Sequence, residues 1–307
     1  MAPSSKKPPA RLSIEPLTPA AFSSFGNVVA NPSHSSSSDW PSVPSSTTAN
    51  QGSATKYSDV SHITNHYGLS PSRKPAQPLM SMFVCSPRPL TSALDPITTT
   101  LPYPGTTKTL SVPVLERHPY TTQTFIPLGL SPSDRETAYI VIVAPTLPSS
   151  SPTDPRPPPY PVPERSSSPR PSLLRRVFSR ARPEPFTNSW SPSTSSSKEY
   201  RARATPLTET LFKPRGPGAP DLSRAKAFVA HGGQAVTYAP GTWHAPMIVV
   251  GAKEVEFVVV QWGNGVAEED CQEVDVEKIE GEGLEVVVEE GAFGLRTGAG
   301  VGVRAKL

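Results

Sequence analysis

The chain has 307 residues; 40 are Pro and only 36% are hydrophobic, so much of it cannot enter a packed core. Its net charge of +3 is uneven: residues 146–220 hold ten Arg and two Lys against five acids, a local +7 that leaves −4 on the remainder. A folded part without basic surplus has little with which to neutralise phosphates, which argues against nucleic-acid binding. No apolar run approaches the ~20 residues that cross a bilayer, and residues 1–13 lack the apolar stretch of a secretory signal.

In chain order, residues 11–30 read as strand, short helix and strand. Thr18 is placed to cap the helix, Pro19 suits its first position, and Gly26 is read as its stop. Residues 32–49 are polar and Ser/Pro-rich, a loop. Asn50-Gln51-Gly52 then suggests a turn before a short strand through Lys56. Residues 78–85 are expected to form a buried strand, and 111–118 and 123–129 two more. Residues 138–145 are apolar and β-branched on both faces, which predicts a central strand. Low complexity follows to about 220. Strands are then expected at 234–240 and 244–250, around Pro240-Gly241, and at 254–263, with a weak one at 284–290.

About ten short strands and few helices predict an all-β sandwich or barrel. The expected organisation is a disordered stretch at 1–10, one domain formed by 11–145 and 220–290, a disordered Pro/Ser/Arg-rich insertion at 146–219, and a flexible Gly-rich tail at 291–307. Loop closure costs little extra as a loop lengthens, so one domain can carry such an insertion. Within it, Arg175, Arg176 and Ser179 match a basophilic kinase pattern of a kind that arises easily by chance. Cys85 and Cys271 form no disulfide framework and read as reduced thiols.

Two stretches carry chemistry. In GGQAVTYAPGTWHAPM (232–247), a Pro240-Gly241 turn precedes His244 and aims it back into the barrel, while Trp243 has the opposite strand parity. In ERHPYTTQTFIPLG (116–129), an imidazole and a carboxamide stand where plain core residues would be expected. Five positions separate His118 from Gln123, so they share a cavity only if the chain turns between them. Either histidine could act as base or metal ligand.

These blocks, with NQGSATKY upstream and PDLSRAKAFV before the second histidine, resemble the ureidoglycolate lyase family in content and in order. The resemblance spans 11–145 and 220–277 with gaps. It implies a cupin-type β-barrel or jelly roll, a homodimer, and cleavage of (S)-ureidoglycolate to glyoxylate and urea by C–N elimination, in purine and allantoin catabolism. That reaction needs a base, a group for the carboxylate and groups that recognise an amide, and the sequence offers His118, Gln123, His244 and Lys56 for catalysis and Asn50, Gln51 and Arg117 for substrate binding. Lys56 and Arg117 would hold the carboxylate. Nickel is often associated with the family, but only His118, Gln123 and His244 offer themselves as ligands, a sparse set. The alternative is a non-catalytic cupin that binds a small organic acid and docks partners through its insertion. The last residues, Ala305-Lys306-Leu307, resemble the Ser-Lys-Leu address read by the peroxisomal import receptor, which favours peroxisome over cytoplasm.

Overall fold

The computed structural model describes residues 9–34, 36–92, 108–147, 213–215, 218–280 and 283–288. The readings made for the two ends, for most of the 146–219 segment with Ser179, and for the C-terminal tripeptide lie outside the described residues.

The fold is almost entirely β. In chain order the strands are β1 (Ala10–Pro16), β2 (Gly26–Val29), β3 (Ser46–Ala49), β4 (Ala54–Tyr57), β5 (Gln77–Cys85), β6 (Thr91–Ser92), β7 (Lys108–Ser111), β8 (Val114–Arg117) and β9 (Gln123–Leu128). There follow β10 (Thr137–Ala144), β11 (Lys226–Ala230), β12 (Ala235–Tyr238), β13 (Trp243–His244), β14 (Ile248–Gly251), β15 (Val255–Gly263), β16 (Gln272–Asp275) and β17 (Leu284–Val288). The helices among the described residues are short: α1 (Pro19–Phe22), α2 (Ala267–Asp270) and α3 (Val276–Glu280). Shorter strands, in greater number than the sequence suggests, arise because Pro and Gly cut the predicted runs.

Ten strands form a curled sheet in the order β16-β8-β13-β10-β11-β1-β17-β7-β6, with β14 also paired to β10. Five more form a second sheet, β2-β12-β9-β15-β5, and β3-β4 is a separate hairpin. This is a cupin-type β fold. β10 is central and buried along its whole length, as its composition predicts. Its residues alternate between two cores. Ala138, Ile140, Ile142 and Ala144 face a cluster inside the curl of the large sheet, with Leu115, Trp243 and Val286. Tyr139, Val141 and Val143 face a second cluster between the two sheets, with Phe125, Tyr238 and Phe257. The period-2 geometry of a strand makes one apolar run serve both layers.

Two sequence expectations need correction. Residues 78–85 do form a strand, β5, but it is exposed: it lies at the edge of the five-stranded sheet, with Met80 at 75% and Met82 at 55%. Apolar content alone cannot separate a central strand from an edge awaiting cover. Gly26 is not the stop of α1, which ends at Phe22, but the first residue of β2. It is Gly because a Cβ there would lie 1.9 Å from the Thr237 carbonyl oxygen of β12.

The Thr18 cap is present: its hydroxyl accepts from the Ala21 N–H at 3.1 Å, and Phe22 then enters the second core fully buried. Thr18→Ala is expected to lower unfolding free energy by about 1 kcal/mol, read as a shifted urea midpoint with unchanged slope. An unmoved midpoint would show that tertiary packing alone holds this turn.

Candidate active site

β8 and β13 lie side by side, with Glu116 opposite His244, and opposite residues of an antiparallel pair share a face. That face looks toward the five-stranded sheet. Trp243 points the other way, into the first core, as strand parity predicts. After Arg117 the chain leaves β8 and turns through Pro119-Tyr120 before starting β9 at Gln123. The turn is held from both sides: the Gly241 N–H donates to the His118 carbonyl at 2.9 Å, and the His66 N–H donates to the Tyr120 carbonyl at 2.7 Å. This turn removes the parity conflict between His118 and Gln123.

The two imidazoles lie with ring centroids 5.6 Å apart. His244 is stacked on the buried ring of Tyr238, at 3.9 Å and 10° between planes. Its Nε2 is 3.0 Å from Gln123 Oε1 and 3.5 Å from Glu116 Oε1. The donor atoms of Glu116, His118 and His244 all fall within 4.8 Å of one another.

Backbone carbonyls set the chemistry of both rings. His118 Nδ1 lies 2.6 Å from the Asp270 carbonyl oxygen, and His244 Nδ1 lies 2.9 Å from that of Thr242. A carbonyl oxygen only accepts, so each Nδ1 carries a hydrogen. His118 thereby turns its Nε2 lone pair to the shared space, while His244 Nε2 lies between two acceptors, Gln123 Oε1 and the Glu116 carboxylate, and is placed to hold a proton. His118 Nε2 is buried and makes no hydrogen bond. Burial, then the charge of His244, pushes the His118 pKa down from 6.5 to about 4, so the ring is neutral near pH 7. Glu116 behaves differently. Burial would raise its pKa, but hydrogen bonding and charge from His244, with charge from His118, bring it below the ordinary 4.5, so it stays ionised.

The Glu116 carboxylate, the His118 Nε2 lone pair and His244 Nε2 thus converge where a positive charge can be received. The receiver is a proton on His244 Nε2, a proton arriving from a hydroxyl, or a divalent cation. One carboxylate and two imidazoles form a donor set suited to such a cation, and the orphaned His118 Nε2 fits it. Gln123 Oε1 stands beside the cluster, 3.0 Å from His244 Nε2. Glu116 brings a ligand atom that the sequence reading passed over, and the signal for it was present in the alternating Glu116-x-His118 at the end of a strand. Gln261 was also missed; its Oε1 accepts from Gln123 Nε2 at 2.8 Å.

The remaining sequence candidates lie elsewhere in the single chain. Arg117 alternates to the opposite face, where it is 1% exposed. There its Nε donates to Gln272 Oε1 at 2.9 Å and its guanidinium lies 4.6 Å over the Trp243 ring, so its role is to lock β8 to β16 and the first core. Asn50 and Gln51 form the tip of the β3-β4 hairpin, both with positive φ, and Lys56 is exposed on β4. No hydrogen bond, ion pair or ring contact among the described residues joins these three to the histidines.

The fold is that of a cupin-type protein, with a buried cluster of two histidines and a glutamate between its sheets. A family model described as ureidoglycolate lyase matches residues 9–281, and the chain belongs to that family, whose activity is that of a lyase. It is similar to the ureidoglycolate lyase of Schizosaccharomyces pombe, at 29% identity over 85% of this chain and 90% of that protein. It is also similar to that of Saccharomyces cerevisiae, at 29% over 73% and 75%, and that of Burkholderia mallei, at 26% over 83% and 84%.

The shifted pKa of His118 makes a stability prediction. The unfolded chain protonates His118 near pH 6.5 and the folded chain only near pH 4, so the folded state loses stability as pH falls through that window. Glu116 is shifted in the same direction, so its stabilising contribution is present above the ordinary carboxylate value of 4.5 and is lost as pH falls below it. His118→Asn is expected to flatten the fall in unfolding free energy between pH 6.5 and 4 in urea titrations. A mutant as acid-sensitive as the wild type would assign the fall to other groups.

Proposed function

We propose that this chain cleaves (S)-ureidoglycolate to glyoxylate and urea, as an amidine-type carbon–nitrogen lyase of purine and allantoin catabolism. The observation that carries the reading is the convergence of His118 Nε2, His244 Nε2 and Glu116 in one buried space beside the carboxamide of Gln123. The elimination needs a base for the carbinol hydroxyl and a proton for the departing nitrogen. His244 Nε2 takes the hydroxyl proton, the carbon–oxygen bond becomes a carbonyl, and the carbon–nitrogen bond breaks. The imidazolium then gives its proton to the ureido nitrogen, which leaves as urea. Glu116 stabilises the imidazolium in the interval, and Tyr238 holds the ring in plane by stacking. Gln123 Oε1 accepts from the imidazolium.

Glu116, His118 and His244 are also the residues that would hold a divalent ion such as nickel, and a bound cation would acidify the carbinol hydroxyl. Metal dependence is read by dialysing the protein against a chelator and then titrating nickel. The expected result is one equivalent bound by the wild type and none by His118→Ala.

The homodimer is supported by the outer face of the five-stranded sheet. Met80, Met82, Val84, Ile126 and Leu128 are each more than a third exposed there, and β5 is a nine-residue edge strand without a charge. Such a face in water calls for cover, and a second copy supplies an equally apolar one. Sedimentation of the wild type is expected to give a dimer and of Met82→Asp a monomer; a monomeric wild type would overturn this. The peroxisomal destination rests on the sequence of the C-terminal tripeptide.

The decisive assay follows glyoxylate from (S)-ureidoglycolate. His244→Ala is expected to lower kcat by about two to four orders of magnitude while the protein stays folded. Release of ammonia and carbon dioxide in place of urea would identify a different activity on the same substrate. No product above the spontaneous rate from the wild type would leave a module that only binds small acids.

A further inference from the structure

The inner face of the five-stranded sheet carries a row that the mechanism above uses only at one end. Tyr238 on β12 is opposite Gln123 on β9, Gln123 is opposite Gln261 on β15, and Gln261 is opposite Leu79 on β5. Side chains opposite one another in antiparallel pairs share a face, so these four stand in line across four strands. The row begins on the ring that stacks against His244 and ends at the sheet edge. Exposure rises along it: Tyr238 and Gln123 are at 2% and 5%, Gln261 is half-buried, and Leu79 is at 43%. The site therefore opens along this row toward β5, and Gln261 stands between the buried centre and solvent.

Gln261 has one end engaged and one end open. Its Oε1 accepts from Gln123 Nε2 at 2.8 Å, while its own NH2 makes no hydrogen bond among the described residues. The engaged end matters because a carboxamide has two chemically opposite ends on nearly identical shapes. With Nε2 of Gln123 committed to Gln261, Oε1 of Gln123 is the end that faces His244, as the 3.0 Å contact records. Remove the acceptor on β15 and the Gln123 amide is free to turn its NH2 toward the imidazole. The open end matters because a site with an unpaired donor selects ligands that bring an acceptor.

Resting on the lyase reading, we infer that Gln261 is a specificity-determining residue: its NH2 donates to the carbonyl oxygen of the substrate's ureido group, while its Oε1 holds the Gln123 amide in the orientation His244 needs. The ureido end thus lies on the β15 side of the site, and the leaving product, urea, departs along the row past Leu79.

Two substitutions separate the two halves. Gln261→Leu loses both, so kcat is expected to fall and KM to rise, each by about tenfold or more. Gln261→Glu keeps an acceptor for Gln123 and loses the donor. It is expected to recover most of kcat while KM stays about tenfold above that of the wild type. Product inhibition gives a readout that a structural role would not move: both variants should weaken inhibition by urea and leave inhibition by glyoxylate unchanged. In the wild-type protein, urea but not glyoxylate should shift the Gln261 side-chain amide resonance, a test that needs no variant to fold. The inference is overturned if Gln261→Glu is no better than Gln261→Leu in kcat, if urea and glyoxylate inhibition weaken together, or if urea leaves that resonance unmoved. An inactive wild type is a separate outcome, because it removes the lyase reading itself, whereas these three results require a working enzyme or a bound urea.

Discussion

Two backbone carbonyls govern the site. Asp270 holds Nδ1 of His118 and Thr242 holds Nδ1 of His244, so both rings turn their Nε2 atoms into the same space. Without the Asp270 acceptor the His118 ring could carry its hydrogen on Nε2 and offer the cluster no lone pair. The Asp270 carbonyl is itself held in place. The Asp270 carboxylate accepts from Tyr67 Oη at 2.7 Å and from the N–H groups of Asn264 and Gly265 at 2.8 and 2.7 Å. Glu269 beside it accepts from Ser72 and Asn264. The segment from Asn264 to Asp270 thus acts as a brace behind His118, and β16, paired to β8, continues it.

The same economy of strand parity separates chemistry from packing. Glu116 and His244 face the space between the sheets, while their neighbours Leu115, Arg117 and Trp243 face the first core. A single-residue slip of β8 or β13 would exchange these sets, placing a tryptophan in the site and a carboxylate in the core. Arg117 opposes such a slip. Its hydrogen bond to Gln272 and its position over Trp243 tie three strands into one register. A charged group that sequence reading assigns to substrate therefore works as a register pin.

The general architecture was legible because it rests on local patterns. The β10 run, the Thr18 cap and the turn before His244 each follow from residue type and period. His118, Gln123 and His244 were legible as a set because a turn between the first two was the one geometry that united them. Glu116 was overlooked although Glu-x-His on a strand end is visible; judged alone, an acid at a strand terminus reads as surface. Gln261 was illegible, since it lies in a Val-rich strand and gains its partner only through the β9-β15 register. The exposure of β5 was also illegible, because whether an apolar strand is central or at an edge depends on sheet order.

The most direct test is a long-range proton–nitrogen correlation spectrum of the histidine rings between pH 6 and 8. The account predicts that His118 is neutral throughout, with hydrogen on Nδ1 and a bare Nε2, and that nickel or a substrate analogue perturbs the Nε2 signals of His118 and His244 together. A His118 ring with its hydrogen on Nε2, or a ligand that moves one ring and not the other, would contradict it.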